Sequence, residues 1–380
     1  MITCKRSKFT LPPRVTYLNC GYMSPLLKSA EKAGIRGVRR KRNPGNIKST
    51  DFFTDSDLLR QEFAKLISAT DPKRIVVVPS ASYGISTVAR NIKIGRGQNI
   101  ILAAEQFPSN VYPWQRLCAD TGADIKVVEP PSELLGRGKN WNEKILSAVD
   151  TNTKVVALGN VHWADGTLFQ LEAIRKRTRD VGALLIIDGT QSVGALPFNI
   201  QSIQPDALIC ASYKWLLGPY SIGLAYYGEY FDNGVPIEES WINRLNSEDF
   251  SQLVNYQTSY LEGSLRYEMG EHGNFIQVPM LLNSIKQLNR WGIENIQAYC
   301  RGISQEAIQR LREKGYWIED ENYRSSHLFG IRFQDTDPQK LKDKLLRHNI
   351  SVSFRGNAIR VAPNIYNDAN DLKRLVNALS

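Results

Sequence analysis

The sequence predicts an α/β fold in which a mostly parallel sheet is covered by helices on both faces. Between residues 74 and 228, short runs of valine, isoleucine and leucine recur, and they are near-continuous rather than alternating. That pattern is typical of strands buried on both faces. Helical patterns separate the first five runs, so strands alternate with helices as they do in βαβ units.

Seven of these apolar runs are predicted strands. They are residues 74–78, 99–104, 124–129, 154–160, 183–188, 206–211 and 222–228. Helical patterns follow in "SYGISTVARNI" (82–92) and "QLEAIRKRTRDVG" (170–182). Because ligands bind at the carboxyl ends of strands in α/β sheets, polar residues just after those ends are the candidates for a functional site.

The pattern changes after residue 276. A long amphipathic stretch (275–315) predicts one long helix that bridges two domains, and the alternating strand and helix patterns that follow it predict a small α+β unit. We therefore expect a large α/β domain at 21–276 and a small α+β domain at 277–380, with residues 1–20 packed near the small one.

Composition excludes several classes of protein. The chain has 380 residues, 42% of them hydrophobic and 23% charged, as in ordinary globular proteins. No apolar run is long enough to span a bilayer and the N-terminus lacks the apolar core of a signal peptide, so we expect a cytoplasmic protein that does not bind membranes. The five cysteines and four histidines lack metal-like spacing, so we expect no metal.

The formal net charge is +10, and the segment 35–48 holds much of the local excess. No motif of a nucleic-acid-binding fold accompanies this charge, so we do not expect a nucleic-acid partner. A solvated helix face near a pocket for acidic ligands is the preferred interpretation.

The turn after the first strand, "PSASYGIS" (79–86), favours a phosphate. A strand ends there and a helix begins, which leaves free backbone N–H groups and the positive end of the helix dipole. Ser82 adds a hydroxyl, and Ala81 and Tyr83 offer N–H groups. A serine that only caps the helix gives the same string, so both interpretations stand at this point.

Two further strand ends carry charged residues. Asp188 ends the strand 183–188, where a carboxylate is costly to bury without a partner; it can keep a ring nitrogen protonated, with Gln191 near the same ligand. Lys214, in "ASYKWLLGP" (211–219), would have its neutral, nucleophilic amine favoured by burial. The alternatives are an acid that caps the next helix and a solvated surface lysine.

A phosphate site, an acid for a pyridinium nitrogen and a lysine for an aldehyde together describe pyridoxal 5′-phosphate, PLP. The order of a Ser-rich turn, Asp-x-x-Gln and Ser-x-Lys resembles the class V aminotransferase family of fold type I PLP enzymes. That family includes cysteine desulfurases, selenocysteine lyases, kynureninases and isopenicillin N epimerase-like proteins. The resemblance extends from "YLNCGYMSP" (17–25) to "IRVAPNIYND" (359–368). It implies a three-layer α/β/α PLP-dependent transferase fold, an amino-acid substrate and a homodimer with shared active sites.

The same resemblance assigns roles to residues. Lys214 is similar to the Schiff-base lysine and Asp188 to the partner of the pyridine nitrogen. Phe107 falls where many relatives stack a histidine on the ring, and it keeps the stacking without an ionisable group. The other cofactor contacts that it implies are Ala81 (backbone N–H) and Ser82 and Ser212 at the phosphate, and Gln191 at the phenolic oxygen.

On the substrate side, the resemblance implies that Arg360, or as second choice Arg355, pairs with the α-carboxylate. Trp163 falls where many relatives have an asparagine, which changes the polarity of the pocket. Glu271 falls where relatives often place a threonine that reaches the phosphate across the dimer. A carboxylate would repel that phosphate, so we expect a backbone N–H near Gly270 or His272 to replace the contact, or a changed loop.

One family feature is missing. Desulfurases carry a loop with a catalytic cysteine between the positions of Arg355 and Arg360, but only "GNAI" separates the two here. We therefore do not expect a persulfide-forming desulfurase. A class V aminotransferase is the first expectation, and an epimerase or a carbon–sulfur lyase is the alternative. A non-catalytic PLP-binding protein is disfavoured, because it would need neither Lys214 nor Asp188.

Overall fold

The computed structural model describes residues 2–333 and 337–380. The strands are β1 (Thr16–Tyr17), β2 (Ile75–Val78), β3 (Asn99–Ala103), β4 (Asp124–Val128), β5 (Thr153–Gly159), β6 (Leu184–Asp188), β7 (Ala207–Ala211), β8 (Gly223–Tyr227), β9 (Phe329–Arg332), β10 (Ile350–Ser351), β11 (Ser353–Arg355) and β12 (Ala358–Val361). The α-helices are α1 (Lys28–Arg40), α2 (Thr54–Leu66), α3 (Ala81–Arg90), α4 (Tyr112–Thr121), α5 (Arg137–Ala148), α6 (Leu171–Val181), α7 (Ile200–Ile203), α8 (Gln277–Trp291), α9 (Ile293–Glu313), α10 (Pro338–Arg347) and α11 (Ala369–Ala378).

The seven predicted strands are confirmed, and they form one sheet in the order β2-β8-β7-β6-β5-β3-β4. Neighbouring strands are parallel except at β8, which runs antiparallel to both β2 and β7. The sheet is therefore mostly parallel, as predicted. Because β8 returns directly from β7, the chain between them forms a short loop rather than a helical crossover.

Helices cover both faces of the sheet. Alternate residues of one strand belong to different hydrophobic clusters: Val77 packs into one cluster, and Val76 and Val78 into the other. This alternation confirms the three-layer α/β/α arrangement. The cover of helices is incomplete at β4, the strand at one edge of the sheet, where Asp124 and Val127 are exposed. The expectation that every strand is buried on both faces is therefore wrong at β4.

The predicted single long helix is wrong, because the stretch forms two helices, α8 and α9. Gly292 separates them with a φ of +75°, a left-handed conformation that glycine adopts without strain and that interrupts the helix. After α9 come a three-stranded antiparallel sheet, in the order β11-β12-β9, and the helices α10 and α11. These elements share a separate hydrophobic cluster, and β1 pairs in parallel with β10. The domain boundary at residue 276 stays a prediction.

Among the described residues, no helix combines the length and the apolar character needed to cross a membrane. Within the same ranges, no group of three histidine, cysteine or acidic side chains is placed to hold a metal ion.

Candidate active site

A cavity of about 250 Å³ lies at the carboxyl ends of β2, β5, β6 and β7. Most of the residues predicted for the site lie in its wall. The predicted residues that line it are Ala81, Ser82, Phe107, Trp163, Asp188, Gln191 and Lys214. The three that do not line it are Ser212, Arg355 and Arg360. The topology of the sheet thus brings together residues that are up to 133 positions apart in the sequence, from Ala81 to Lys214.

Lys214 lies on the loop that joins β7 to β8. The Ser212 N–H donates to the Ile222 carbonyl at 3.1 Å, and this bond closes the loop at its base. The side chain is only 5% exposed, and its Nζ lies 5.2 Å from the centre of the Phe107 ring. Burial lowers the pKa of Lys214 to about 8, and the nearby Asp188 only partly opposes this shift. A neutral amine is therefore accessible just above neutral pH.

Asp188 is the last residue of β6, with β5 on one side of it and β7 on the other. One carboxylate oxygen accepts the Thr190 N–H at 3.0 Å, so the residue does cap the following turn. The Thr190 hydroxyl in turn accepts the Ala211 N–H at 3.1 Å. The capping interpretation and the cavity-lining interpretation both hold, because the cap fixes the orientation of a carboxylate that lines the cavity.

The side-chain amide of Gln191 is held from two sides. Its Nε2 donates to the Gly21 carbonyl at 3.0 Å, and its Oε1 accepts from the Trp215 indole N–H at 2.9 Å. Its own backbone carbonyl lies 2.8 Å from the Nε2 of His327. Since a carbonyl only accepts, that nitrogen of His327 carries the proton. Sequence reasoning missed this contact, because nothing links residues 136 positions apart without the fold.

His327 is fully buried, and burial lowers its pKa to about 4. Its Nδ1 lies 3.0 Å from the amide Nε2 of Gln297, which donates to it. The ring is therefore neutral at physiological pH, with both nitrogens satisfied. It packs edge-on against Trp215 at 4.5 Å, so one histidine contacts both the backbone of Gln191 and the indole that holds the Gln191 side chain.

At the other end of the cavity, α3 begins at Ala81. Ser80 is the N-cap residue: its Oγ accepts the Tyr83 N–H at 3.1 Å and lies 2.9 Å from the Ser82 Oγ. The first turn of the helix thus presents hydroxyl and N–H groups at the cavity, the arrangement that binds phosphate groups. The sequence pattern indicated Ser82, but not which serine caps the helix.

Ser212 does not line the cavity with the hydroxyl groups of Ser80 and Ser82. It is fully buried, and its hydroxyl donates to the Pro219 carbonyl within the loop. Closure of the Lys214 loop therefore uses the hydroxyl that the prediction assigned to the phosphate, and we leave Ser212 out of the proposed phosphate contacts.

Arg355 and Arg360 lie beside the cavity, and Trp163 contacts both. The guanidinium carbons are 5.1 and 5.9 Å, respectively, from the centre of the indole ring. Arg360 is 1% exposed, donates to the Trp163 carbonyl at 2.9 Å and forms no ion pair with any described residue. Burial, together with the charge of Arg355, lowers the pKa of Arg360 to about 9. A buried cation without a counter-charge favours a bound anion.

The chain near the N-terminus lies against the lysine loop. Cys20 Sγ is 3.8 Å from the Lys214 carbonyl and accepts from the Asn364 amide at 3.2 Å, and the Ser24 N–H donates to the Tyr213 carbonyl at 2.9 Å. Burial raises the pKa of the Cys20 thiol to about 11, so it stays protonated. No cysteine of the described residues lines the cavity.

The segment 264–276, in which Glu271 lies, does not line the cavity of its own chain. The Gly270 N–H donates to the Glu238 carboxylate, and His272 is buried beside Glu268 and Ser56. The expected contact is with a partner's cofactor, which a single chain does not test, so it stays a prediction.

The fold and the cavity are those of a PLP enzyme, and the comparisons with known proteins agree. The model of the class V aminotransferase family matches residues 48–375, and the chain belongs to this family. It is 24% identical over 331 residues to the uncharacterized aminotransferase YcbU of Bacillus subtilis, covering 86% of this chain and 83% of that protein. It is 27% identical over 262 residues to a cysteine desulfurase of Klebsiella pneumoniae, covering 67% of this chain and 61% of that one.

Solved structures share the fold. A mutant of C-DES with glycine covalently linked to PLP has a TM-score of 0.86 at 18% identity, over 99% of each chain. The cysteine desulfurase CsdA of Escherichia coli has a TM-score of 0.81 at 18% identity, over 98% of this chain and 96% of that one. The family and these neighbours identify PLP as the cofactor. The cavity fits it, with a buried amine, a fixed carboxylate and a helix N-terminus in one wall.

Proposed function

We propose that this protein is a PLP-dependent enzyme that acts on an amino acid through a Schiff base at Lys214, and that it transaminates its substrate. One observation carries the proposal: a 5% exposed lysine, with its pKa lowered to about 8, lines the same cavity as the strand-end carboxylate of Asp188. A structural lysine would be paired or solvated, and Lys214 is neither among the described residues.

When bound, PLP supplies an aldehyde that condenses with amines and a ring that withdraws electrons from the substrate Cα. Asp188 would accept a hydrogen bond from the ring nitrogen and keep it protonated. The first turn of α3 would bind the phosphate, and the Phe107 ring would pack on the cofactor face. Lys214, released by the incoming amine, would take the proton from Cα and return it elsewhere, while Arg360 holds the α-carboxylate.

The delivery of that proton by Lys214 would distinguish two of the reactions: Lys214 would return it to Cα in an epimerase and would deliver it away from Cα in an aminotransferase. In a lyase, a side-chain group of the substrate would leave instead. A persulfide-forming desulfurase is disfavoured, since it needs a thiolate at the cavity, no cysteine of the described residues lines that cavity, and the Cys20 thiol beside the lysine loop stays protonated. The epimerase and the carbon–sulfur lyase stay as alternatives; the homodimer and the cytoplasmic location also stay predictions.

The absorption spectrum of the purified protein tests the proposal. Lys214→Ala should abolish the yellow absorption of the lysine-bound cofactor together with all turnover. Lys139→Ala, at a lysine whose side chain is 60% exposed, is the control and should change neither. Activity retained by Lys214→Ala would refute the assignment.

The same spectrum separates the reactions. When L-amino acids are added without a keto acid, lasting loss of the yellow band means that the cofactor has been converted to its amine form, as transamination requires. A band that persists or recovers would overturn transamination of those amino acids and direct the search to lyase or epimerase activity.

A further inference from the structure

A second cavity, of about 570 Å³, lies next to the first, and Gln106 and Trp163 line both. Three arginines, Arg137, Arg332 and Arg355, line the second cavity. Among the described residues, its only acidic lining residue is Glu105. The wall that the two cavities share therefore separates the site of Lys214 from a strongly cationic space.

The three arginines are not equivalent. Arg137 and Arg332 both pair with the buried Asp165, at 2.9 and 2.7 Å. Arg355 forms no ion pair with a described residue: it donates to the Phe354 carbonyl at 2.7 Å, and its Nε, like that of Arg332, is buried without a partner. One cation of this wall thus lacks a counter-charge, and an unsatisfied donor of a partly buried guanidinium is unfavourable until an anion binds it.

A second cation close to Arg355 adds to the cost of its unpaired charge. Arg360, also without an acidic partner among the described residues, is close enough that the charge of Arg355 lowers its pKa. The Arg355 guanidinium lies over the Trp163 ring, 5.1 Å from its centre, which holds the planar group in place. A held guanidinium with free N–H groups matches the two oxygens of a carboxylate.

We infer that the substrate is an amino acid whose side chain carries a second anionic group, and that Arg355 binds this group from the second cavity while Arg360 binds the α-carboxylate. The inference rests on the proposed function and names its substrate class. Trp163 borders both cavities, and the guanidinium carbons of Arg355 and Arg360 lie 5.1 and 5.9 Å from the centre of its ring, so one indole lies beside both proposed anion sites.

The kinetic test compares matched substrates on the holoenzyme: glutamate with glutamine, and aspartate with asparagine. We expect kcat/KM to favour the anionic member at least tenfold, and Arg355→Gln to reduce that preference at least tenfold, since a cationic guanidinium that can donate two parallel hydrogen bonds is replaced by a neutral amide. Arg116→Gln removes one positive charge at a side chain that is 80% exposed, and it should keep the preference. A wild-type enzyme that prefers the amides, or an unchanged preference in Arg355→Gln, would overturn the inference.

A binding measurement that needs neither turnover nor a variant separates this inference from the proposed function. Calorimetry of the wild-type holoenzyme with succinate and with its half-amide, succinamate, compares two anions with one. Tighter binding of succinate supports the second anion site even if no amino acid reacts, in which case only the proposed function fails. Equal binding of the two overturns the inference and leaves the proposed function intact.

Discussion

Lys214→Met replaces the buried amine by an apolar side chain of similar length, and it should stabilise the cofactor-free protein at neutral pH. Burial lowers the pKa of Lys214 from its ordinary 10.5 to about 8, so the folded chain holds this proton more weakly than the unfolded chain does. At about 1.36 kcal/mol for each pKa unit, the charged amine costs the folded state about 3 kcal/mol.

The free energy of unfolding of the wild type should increase as the pH rises from 8 to 10.5. Below pH 8 both states are protonated, and the folded wild type bears the full cost. Between pH 8 and 10.5 the folded chain has released a proton that the unfolded chain still binds, so the free energy of unfolding of the wild type rises with pH. The variant has no such group. Its advantage should therefore be about 3 kcal/mol larger at pH 7 than at pH 10.5.

Urea unfolding of both proteins, freed of cofactor and measured at several pH values from 7 to 10.5, checks this expectation. The comparison uses the difference between variant and wild type, so other titrating groups cancel and a change in packing appears as a constant offset. If the difference in the free energy of unfolding does not change with pH, the claim that burial disfavours the charged form of Lys214 is refuted.

Two further predictions concern His327, which supports Gln191, and Gly166, which lies against Leu328. His327→Gln should make the protein less sensitive to acid. In the unfolded chain the histidine gains a proton as the pH falls below about 6.5, whereas the buried ring gains it only near pH 4. The free energy of unfolding of the wild type should therefore decline between these pH values more steeply than that of the variant. Equal slopes in urea unfolding between pH 7 and pH 4 would contradict it. Gly166→Ala would place a Cβ 2.2 Å from the Leu328 carbonyl oxygen at a φ of +80°, and it should cost more than about 2 kcal/mol of unfolding free energy. Gly302→Ala, in α9 with nothing within 4 Å of the new Cβ, is the control and should add about 0.5–1 kcal/mol; equal effects of the two changes would refute the steric argument.

The strands and the strand-end residues were predictable because their signals are local. An apolar run marks each strand of the sheet; Asp188 is the last residue of one such strand, and Lys214 follows the end of the next by three residues. Parallel strands place their carboxyl ends at one edge, so two charged residues far apart in sequence are brought to one cavity. The break at Gly292 had a local signal as well, but the amphipathic pattern continues on both sides of it and hides the interruption.

The contacts that orient these residues were not predictable, since they depend on which hydrogen-bond partner lies nearest in space. Ser212 has the residue type for a phosphate contact, but the Pro219 carbonyl within its own loop takes its hydroxyl. Arg360 has the type for a carboxylate contact, but its position beside the cavity is set by the Trp163 carbonyl, to which it donates at 2.9 Å, and that contact is not visible in the pattern of either segment. The support of Gln191 by His327 joins residues 136 positions apart and leaves no trace in the pattern of either segment.

Cys20 packs between the lysine loop and Asn364, and this arrangement has a consequence for the order in which the protein is assembled. All seven strands of the large sheet have been synthesised once the ribosome passes Tyr227, but the surroundings of Lys214 also require a side chain 150 positions beyond that lysine. A nascent chain that ends before residue 364 therefore contains the residues of all seven strands but lacks the amide that donates to Cys20 beside the lysine loop.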